Sequence, residues 1–312
     1  MREVDRTGSY LALVAMTVFW GLSFVATKVA LESIPTFTLV FARFGLSSCF
    51  FALLMVRWGF PRLSAGDHGR IFLTALFEPG LYFIFETVGL QYTTAPKAAL
   101  MIATVPVSVA VFAALFLGER TNVAGLLGIG TSLLGIAILV GGDPRFDLDL
   151  GGSLKGDLLI IGAVVSASLY TVCARAAGRR SSALQITSLQ VMYGTLMYAP
   201  AFLWEVPGLH WSAVTGRSLA AVAYLTLFAT IAAFLCYNHA LTRIPAPRAA
   251  VFINGIPVVT AAGAWVILGE TLTALQVGGG VLVLGGVFLT NWLGPSVPGI
   301  EKEGVCSGPG GA

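Results

Sequence analysis

The chain has 312 residues, 56% of them hydrophobic and 11% charged, with a net charge of +3 and a mean hydropathy of +0.86. Soluble domains carry about 25% charged residues, so this composition excludes a soluble globular protein, and the small, scattered positive excess excludes nucleic acid as a partner. A membrane span takes about 20 apolar residues, which leaves room for about ten spans and none for a sizeable soluble domain.

The N-terminal stretch Met1 to Ser9 carries Arg2 and Arg6 and runs into an apolar segment too long for a signal-peptide core, so it leads into a first span, 8–30. Further apolar runs between polar breaks predict spans at 36–56, 70–90, 95–117, 123–141, 156–177, 185–204, 218–240, 246–268 and 275–294. Span 1 contributes Trp20 and Phe24, aromatic candidates for stacking on a planar substrate. Ionisable groups inside a span cost several kcal/mol unless they face water or a partner. The clear cases are Arg43 in span 2 and Glu78 and Glu86 in span 3. Glu78, Tyr82 and Glu86 are spaced four apart and lie within an arc of about 80°, a polar and aromatic face expected to line a cavity. Arg43 and Glu86 share a depth range, either as a structural ion pair or as coupling groups. Glu78 has no sequence partner and is the candidate for a substrate ammonium or a coupling proton. Pro79 follows it and cannot donate to the carbonyl of Ala75, which predicts a kink that frees a carbonyl in mid-membrane.

Pro106 in span 4 and Pro257 in span 9 read as kinks, either hinges or static bends. Span 5 carries Gly125, Gly128, Gly130 and Gly135, and span 10 carries Gly278, Gly279, Gly280, Gly285 and Gly286. These small residues suit either a contact between spans 5 and 10 or a dimer face, so the oligomeric state stays open. Tyr170 in span 6 and Tyr237 in span 8 add aromatic candidates. Asn254 in span 9 suits a substrate carboxylate or a neighbouring helix, and His239 is either a proton site or a solvated helix-end histidine. Cys49, Cys173 and Cys236 sit in apolar stretches and read as buried free thiols; Cys306 falls in the tail, and residues 295–312 are expected to be disordered.

With a cytoplasmic N-terminus, Arg2, Arg6, Arg57, Arg62, Arg70, Arg120, Arg175, Arg179, Arg180, Arg243, Arg248 and Lys302 fall inside, against Lys28, Lys97, Arg145, Lys155 and Arg217 outside. The bias puts both termini in the cytoplasm. The chain also repeats itself. A shift of 151 positions places Ala95-Pro96-Lys97-Ala98-Ala99 on Ala246-Pro247-Arg248-Ala249-Ala250, Pro106-Val107 on Pro257-Val258, and Leu117-Gly118-Glu119 on Leu268-Gly269-Glu270. About 15 of 45 positions match over 95–139. Residues 1–150 and 151–294 thus read as two five-span repeats. An odd number of spans inverts the second copy in the membrane, an arrangement of secondary transporters with a midplane site and alternating access.

Phe19-Trp20-Gly21-Leu22-Ser23-Phe24, the Ala-Pro-Lys/Arg-Ala-Ala openings of spans 4 and 9 and their Leu-Gly-Glu ends resemble the drug/metabolite transporter superfamily, EamA type, over about residues 8–294. The resemblance implies an all-α protein of ten transmembrane helices that exports small metabolites, most often amino acids, across the bacterial inner membrane. It also implies a cavity lined by spans 1 to 4 and 6 to 9, with spans 5 and 10 outside. Within the superfamily the chain looks most like the YddG-type exporters of aromatic amino acids. It departs from the pseudo-symmetric pattern at Ser166, where no tryptophan matches Trp20. The expected partners are a small-molecule substrate and membrane lipid. No Ser/His/Asp set, HExxH or phosphate loop is present, so no enzyme, cofactor or metal is expected. A channel or a lipid or amphiphile flippase is the competing class.

Overall fold

The computed structural model describes residues 3–59, 63–89, 92, 98, 101–142, 154–208, 211–268 and 272–292. Among these it is entirely helical, without strands. The helices are α1 (Glu3–Leu31), α2 (Thr36–Trp58), α3 (Ala65–Ala75), α4 (Tyr82–Gly89), α5 (Val105–Leu117), α6 (Val123–Gly141), α7 (Leu154–Ala177), α8 (Ala183–Glu205), α9 (Gly216–Tyr224), α10 (Ala233–Leu241), α11 (Ala246–Ala250), α12 (Ile256–Leu268) and α13 (Ala274–Trp292). Wide π-helical turns, Leu76–Leu81 and Leu225–Ala232, join α3 to α4 and α9 to α10, and a tight 3-10 turn, Val251–Gly255, joins α11 to α12.

Eight stretches of the described residues are helical, long and apolar enough to cross a membrane: Thr7–Leu31, Thr36–Arg57, Ala65–Gly89, Val123–Gly141, Leu154–Ala177, Gly216–Leu241, Ala246–Ile267 and Ala274–Asn291. Two predicted spans fall outside this set. In span 4 the helix Val105–Leu117 is short, and most of residues 95–100 lie outside the described residues. Span 7 is the 23-residue α8, diluted by Gln185, Thr187, Ser188 and Gln190. The 295–312 tail, Lys97, Arg62, Arg145, Lys302, Cys306 and the Gly269-Glu270 end of the second repeat motif also lie outside the described residues.

Helix ends follow local chemistry. Ser64, Asn122 and Thr215 cap α3, α6 and α9 by accepting from backbone N–H groups three residues on. Ser182 with Gln185 forms a reciprocal capping box at α8. Thr273 and Gln276 exchange the same pair of bonds at α13. Gly118 ends α5 in the left-handed conformation, φ 69°.

Large apolar side chains such as Leu53, Leu115, Leu196, Trp204 and Val266 cover the outside, a surface suited to lipid and not to water. Polar side chains turn inward: Ser168, Thr171, Thr187, Gln190, Thr230 and Asn238 are fully enclosed. Cys49 corrects the sequence reading, since it lies exposed on the lipid side of α2 beside Leu46, Phe50 and Leu53.

Helices α6 and α13 pack backbone to backbone. A Cβ on Gly135 would meet the backbone N of Val283 at 2.6 Å, one on Gly279 the N of Leu139 at 2.5 Å, and one on Gly286 the carbonyl of Gly128 at 2.5 Å. Gly130, Gly278 and Gly285 face open space. The glycine stripes of spans 5 and 10 therefore meet each other within one chain.

Candidate functional site

The site is built around the break in span 3. Glu78 leaves the helix with φ −148° and ψ 119°, because Pro79 lacks the N–H that would continue the ladder. Carbonyls at the break are met from α8. Gln190 Nε2 donates to the Glu78 carbonyl at 2.8 Å, and the one proton of the Tyr198 hydroxyl is shared between the carbonyls of Pro79 and Gly80, both at 3.0 Å. Gly194 makes the fit possible, since a Cβ there would stand 2.5 Å from Pro79 Cγ. Protein donors thus reach the broken backbone, as suits a membrane interior.

Arg43 on α2 reaches this break. It is 7% exposed, its Nε donates to Thr230 Oγ1 at 2.8 Å, and its guanidinium lies 5.4 Å from the Phe44 ring centre and 5.9 Å from that of Phe83. Its electrostatic attraction is to Glu78, with no hydrogen bond between the two among the described residues. The expected Arg43–Glu86 pair does not form. Glu86 accepts instead from the Tyr82 hydroxyl at 3.0 Å, because residues four apart on α4 stack along one face. Glu78, Tyr82 and Glu86 are all half-buried.

Rings form a continuous wall beside these charges. Trp20 donates through Nε1 to the Ala229 carbonyl at 3.0 Å and packs against Phe234 and Tyr237, each at 5.4 Å between ring centres. Phe234 also touches Tyr170 at 6.1 Å and Phe44 at 6.4 Å. Tyr170 and Tyr237 are fully buried, with their hydroxyls bonded to Asn238 Oδ1 at 3.2 Å and Thr171 Oγ1 at 3.1 Å. Asn238 in turn donates to Thr187 at 2.9 Å and to Gln190 at 3.0 Å. A polar network therefore runs from Tyr170 through Asn238 and Gln190 to the Glu78 carbonyl. Phe24 stands apart from the wall and is 53% exposed. On an ideal helix it lies within about 40° of Trp20 on one side and of Lys28, which is exposed, on the other.

The opposite end of the bundle is tied shut. Arg175 Nε meets Glu119 Oε1 at 2.7 Å, Glu119 Oε2 accepts from the Ala246 backbone N at 2.7 Å, and Arg175 also donates to the Leu241 carbonyl at 2.8 Å. Ala174, Ala240, Leu241, Ala246 and Ala249 around this tie are fully buried.

Other predicted residues lie away from the break. Asn254 donates to Ser132 on α6 at 2.8 Å, the helix-to-helix alternative among its expected roles. His239 Nδ1 sits 3.0 Å from Arg243, and since arginine only donates, that nitrogen accepts. Pro106 stands in the first turn of α5, just after a turn at residues 103–104, where a missing N–H costs nothing; Pro257 lies inside the continuous helical stretch Ala246–Ile267, just after its 3-10 turn Val251–Gly255. Thr230, Gln190, Tyr198, Phe44, Phe83 and Phe234 went unpredicted. For Thr230 and Gln190 the signal was present: each is a polar side chain in an apolar run. Among the described residues, no three His, Cys, Asp or Glu side chains come together to hold a metal ion.

Comparison with known proteins gives a consistent picture. The model of the EamA-like transporter family matches twice, over residues 7–141 and 154–292. The chain is 29% identical to the uncharacterized transporter YetK of Bacillus subtilis, over 91% of this chain and 86% of that one. It is 27% identical to a protein of Streptantibioticus cattleyicolor named "Probable terminal-alkyne amino-acid exporter", over 90% and 92%. A crystal structure superposes with a TM-score of 0.78 at 19% identity, covering 93% of this chain and all of the other, and so shares its fold.

Proposed function

The chain belongs to the EamA-like transporter family, and from that premise we propose that it is a secondary transporter exporting amino acids, with aromatic ones preferred, across the bacterial inner membrane. In this reading ten spans form two inverted five-helix repeats, both termini are cytoplasmic, and the two halves exchange conformations around a midplane cavity. In the same reading the exposed Phe24 lies in an outward-opening cleft and the Glu119–Arg175 tie is the closed cytoplasmic end.

One observation carries the substrate reading: a half-buried carboxylate, Glu78, stands at a helix break next to a continuous wall of rings, Phe44, Phe234 and Trp20. Glu78 suits an ammonium group, and the rings suit a planar side chain, with stacking worth about 0.5–1.5 kcal/mol beyond burial. The amino-acid exporter among the relatives supports the same class.

The test is exchange of labelled Phe, Thr and a dicarboxylate by protein reconstituted in liposomes. Saturable Phe exchange exceeding that of Thr is the expected result. No Phe transport above empty liposomes removes the aromatic assignment, and non-saturable current or lipid movement instead points to a channel or flippase. Glu78→Gln should lower exchange with folded protein still present, and an unchanged rate takes Glu78 out of the site.

A further inference from the structure

We infer that Arg43 is the receptor for the substrate's carboxylate, so that the cargo must carry a carboxylate as well as the ammonium group assigned to Glu78. The inference rests on the reading of this region as the substrate cavity. Burying a guanidinium is expensive unless a counter-charge and hydrogen bonds compensate it. Here Nε is held by Thr230 at 2.8 Å, and Phe44 and Phe83, whose ring centres are 6.2 Å apart, flank the group on one side at 5.4 and 5.9 Å. The two terminal nitrogens have no hydrogen-bond partner among the described residues. The residue as a whole keeps 7% of its surface exposed.

The Nε bond anchors the guanidinium and leaves its outer fork without a hydrogen-bond partner among the described residues, and such a fork binds a carboxylate through two parallel bonds. Glu78 lies within electrostatic reach yet makes no bond to the fork, so a zwitterion set between them would satisfy both charges at once. Phe44 links the fork to Phe234 and so to Trp20 and Tyr170. Of these rings Trp20 is partly exposed, so a molecule anchored by its carboxylate at Arg43 meets the ring cluster there with its side chain.

The experiment measures ligand-induced thermal stabilisation of the purified full chain by L-phenylalanine, its amide, phenethylamine and 3-phenylpropionate, with L-threonine and succinate as non-aromatic carboxylates. Wild-type protein should bind L-phenylalanine at least about ten-fold more tightly than its amide or phenethylamine. Arg43→Gln should abolish that ratio, and Arg43→Lys, which keeps the charge but loses the fork, should restore only part of it. If Arg43→Gln fails to fold, Thr230→Val, which releases Nε, should shrink the ratio. Equal binding of acid and amide by wild type, an undiminished ratio in the variants, or no binding of any carboxylate overturns the inference. Absent phenylalanine transport with Arg43-dependent binding of another carboxylate removes the aromatic reading and leaves this one standing.

Discussion

Gln190 bridges the break in span 3 and Asn238 on α10. Its amide nitrogen holds the Glu78 carbonyl and its amide oxygen accepts from Asn238. Replacing it with leucine removes the donor to the Glu78 carbonyl and one of the two bonds that Asn238 donates, at a cost of about 1–3 kcal/mol. Gln190→Leu should therefore lower the thermal midpoint of purified protein and weaken substrate binding, whereas Gln185→Ala at the helix cap should spare binding. An unchanged midpoint would show that water replaces the lost partners. Asn254 makes the contrasting case. It holds Ser132 on α6, remote from the break, and Asn254→Ala should cost stability without altering which substrates compete. The break at Pro79 was legible because proline has one effect on a helix wherever it occurs. Its donors were not, since Gln190 and Tyr198 lie 112 and 119 positions away from the carbonyls they serve, and periodicity carries no information on which helices meet.

At the scale of helices, the α6–α13 contact and the Glu119 tie make opposite demands. The first needs the absence of side chains: Gly135→Leu and Gly279→Leu should reduce the yield of folded protein, while Gly130→Ala, which points into open space, should be neutral. Equal yields for Gly135→Leu and Gly130→Ala would show that the helices separate freely. The second needs a specific charge. Arg175 is 8% exposed, and Glu119→Ala leaves it buried without its counter-ion, which costs about 3–5 kcal/mol. Glu119→Gln keeps an acceptor for the Ala246 N–H and should fall between the two in thermal denaturation; identical midpoints for all three would mean that the ion pair adds nothing. Leu-Gly-Glu was visible as a repeated motif, but only the fold shows its glutamate bridging α5, α7 and α11. Pro106 shows why a proline alone is ambiguous in sequence. Proline is punished inside a helix and tolerated in its first turn, so the same residue marks a bend or a beginning, depending on where the preceding segment stops.

For the molecule as a whole, the proposed function makes the tied end and the cleft at Phe24 one state of a two-ended device. In a background lacking native cysteines, Phe24→Cys should react with a membrane-impermeant maleimide added from one side of the membrane. Ala240→Cys, beside the Glu119 tie, should stay unlabelled. Labelling of both positions at equal rates would mean that the tied end breathes as freely as the cleft. The all-helical, membrane-spanning character was legible from apolar run length, because hydrocarbon thickness and backbone satisfaction leave few options. Glu119 and Arg175 pair across 56 positions, and no local pattern encodes that. The glycine seam also supplies a fixed frame of reference. Leu134 on α6 and Leu284 on α13 both point away from the protein, on helices whose backbones touch. Spin labels placed there should keep a constant separation when ligand is added, while the distance from either to a label at position 24 reports how far the cleft has travelled.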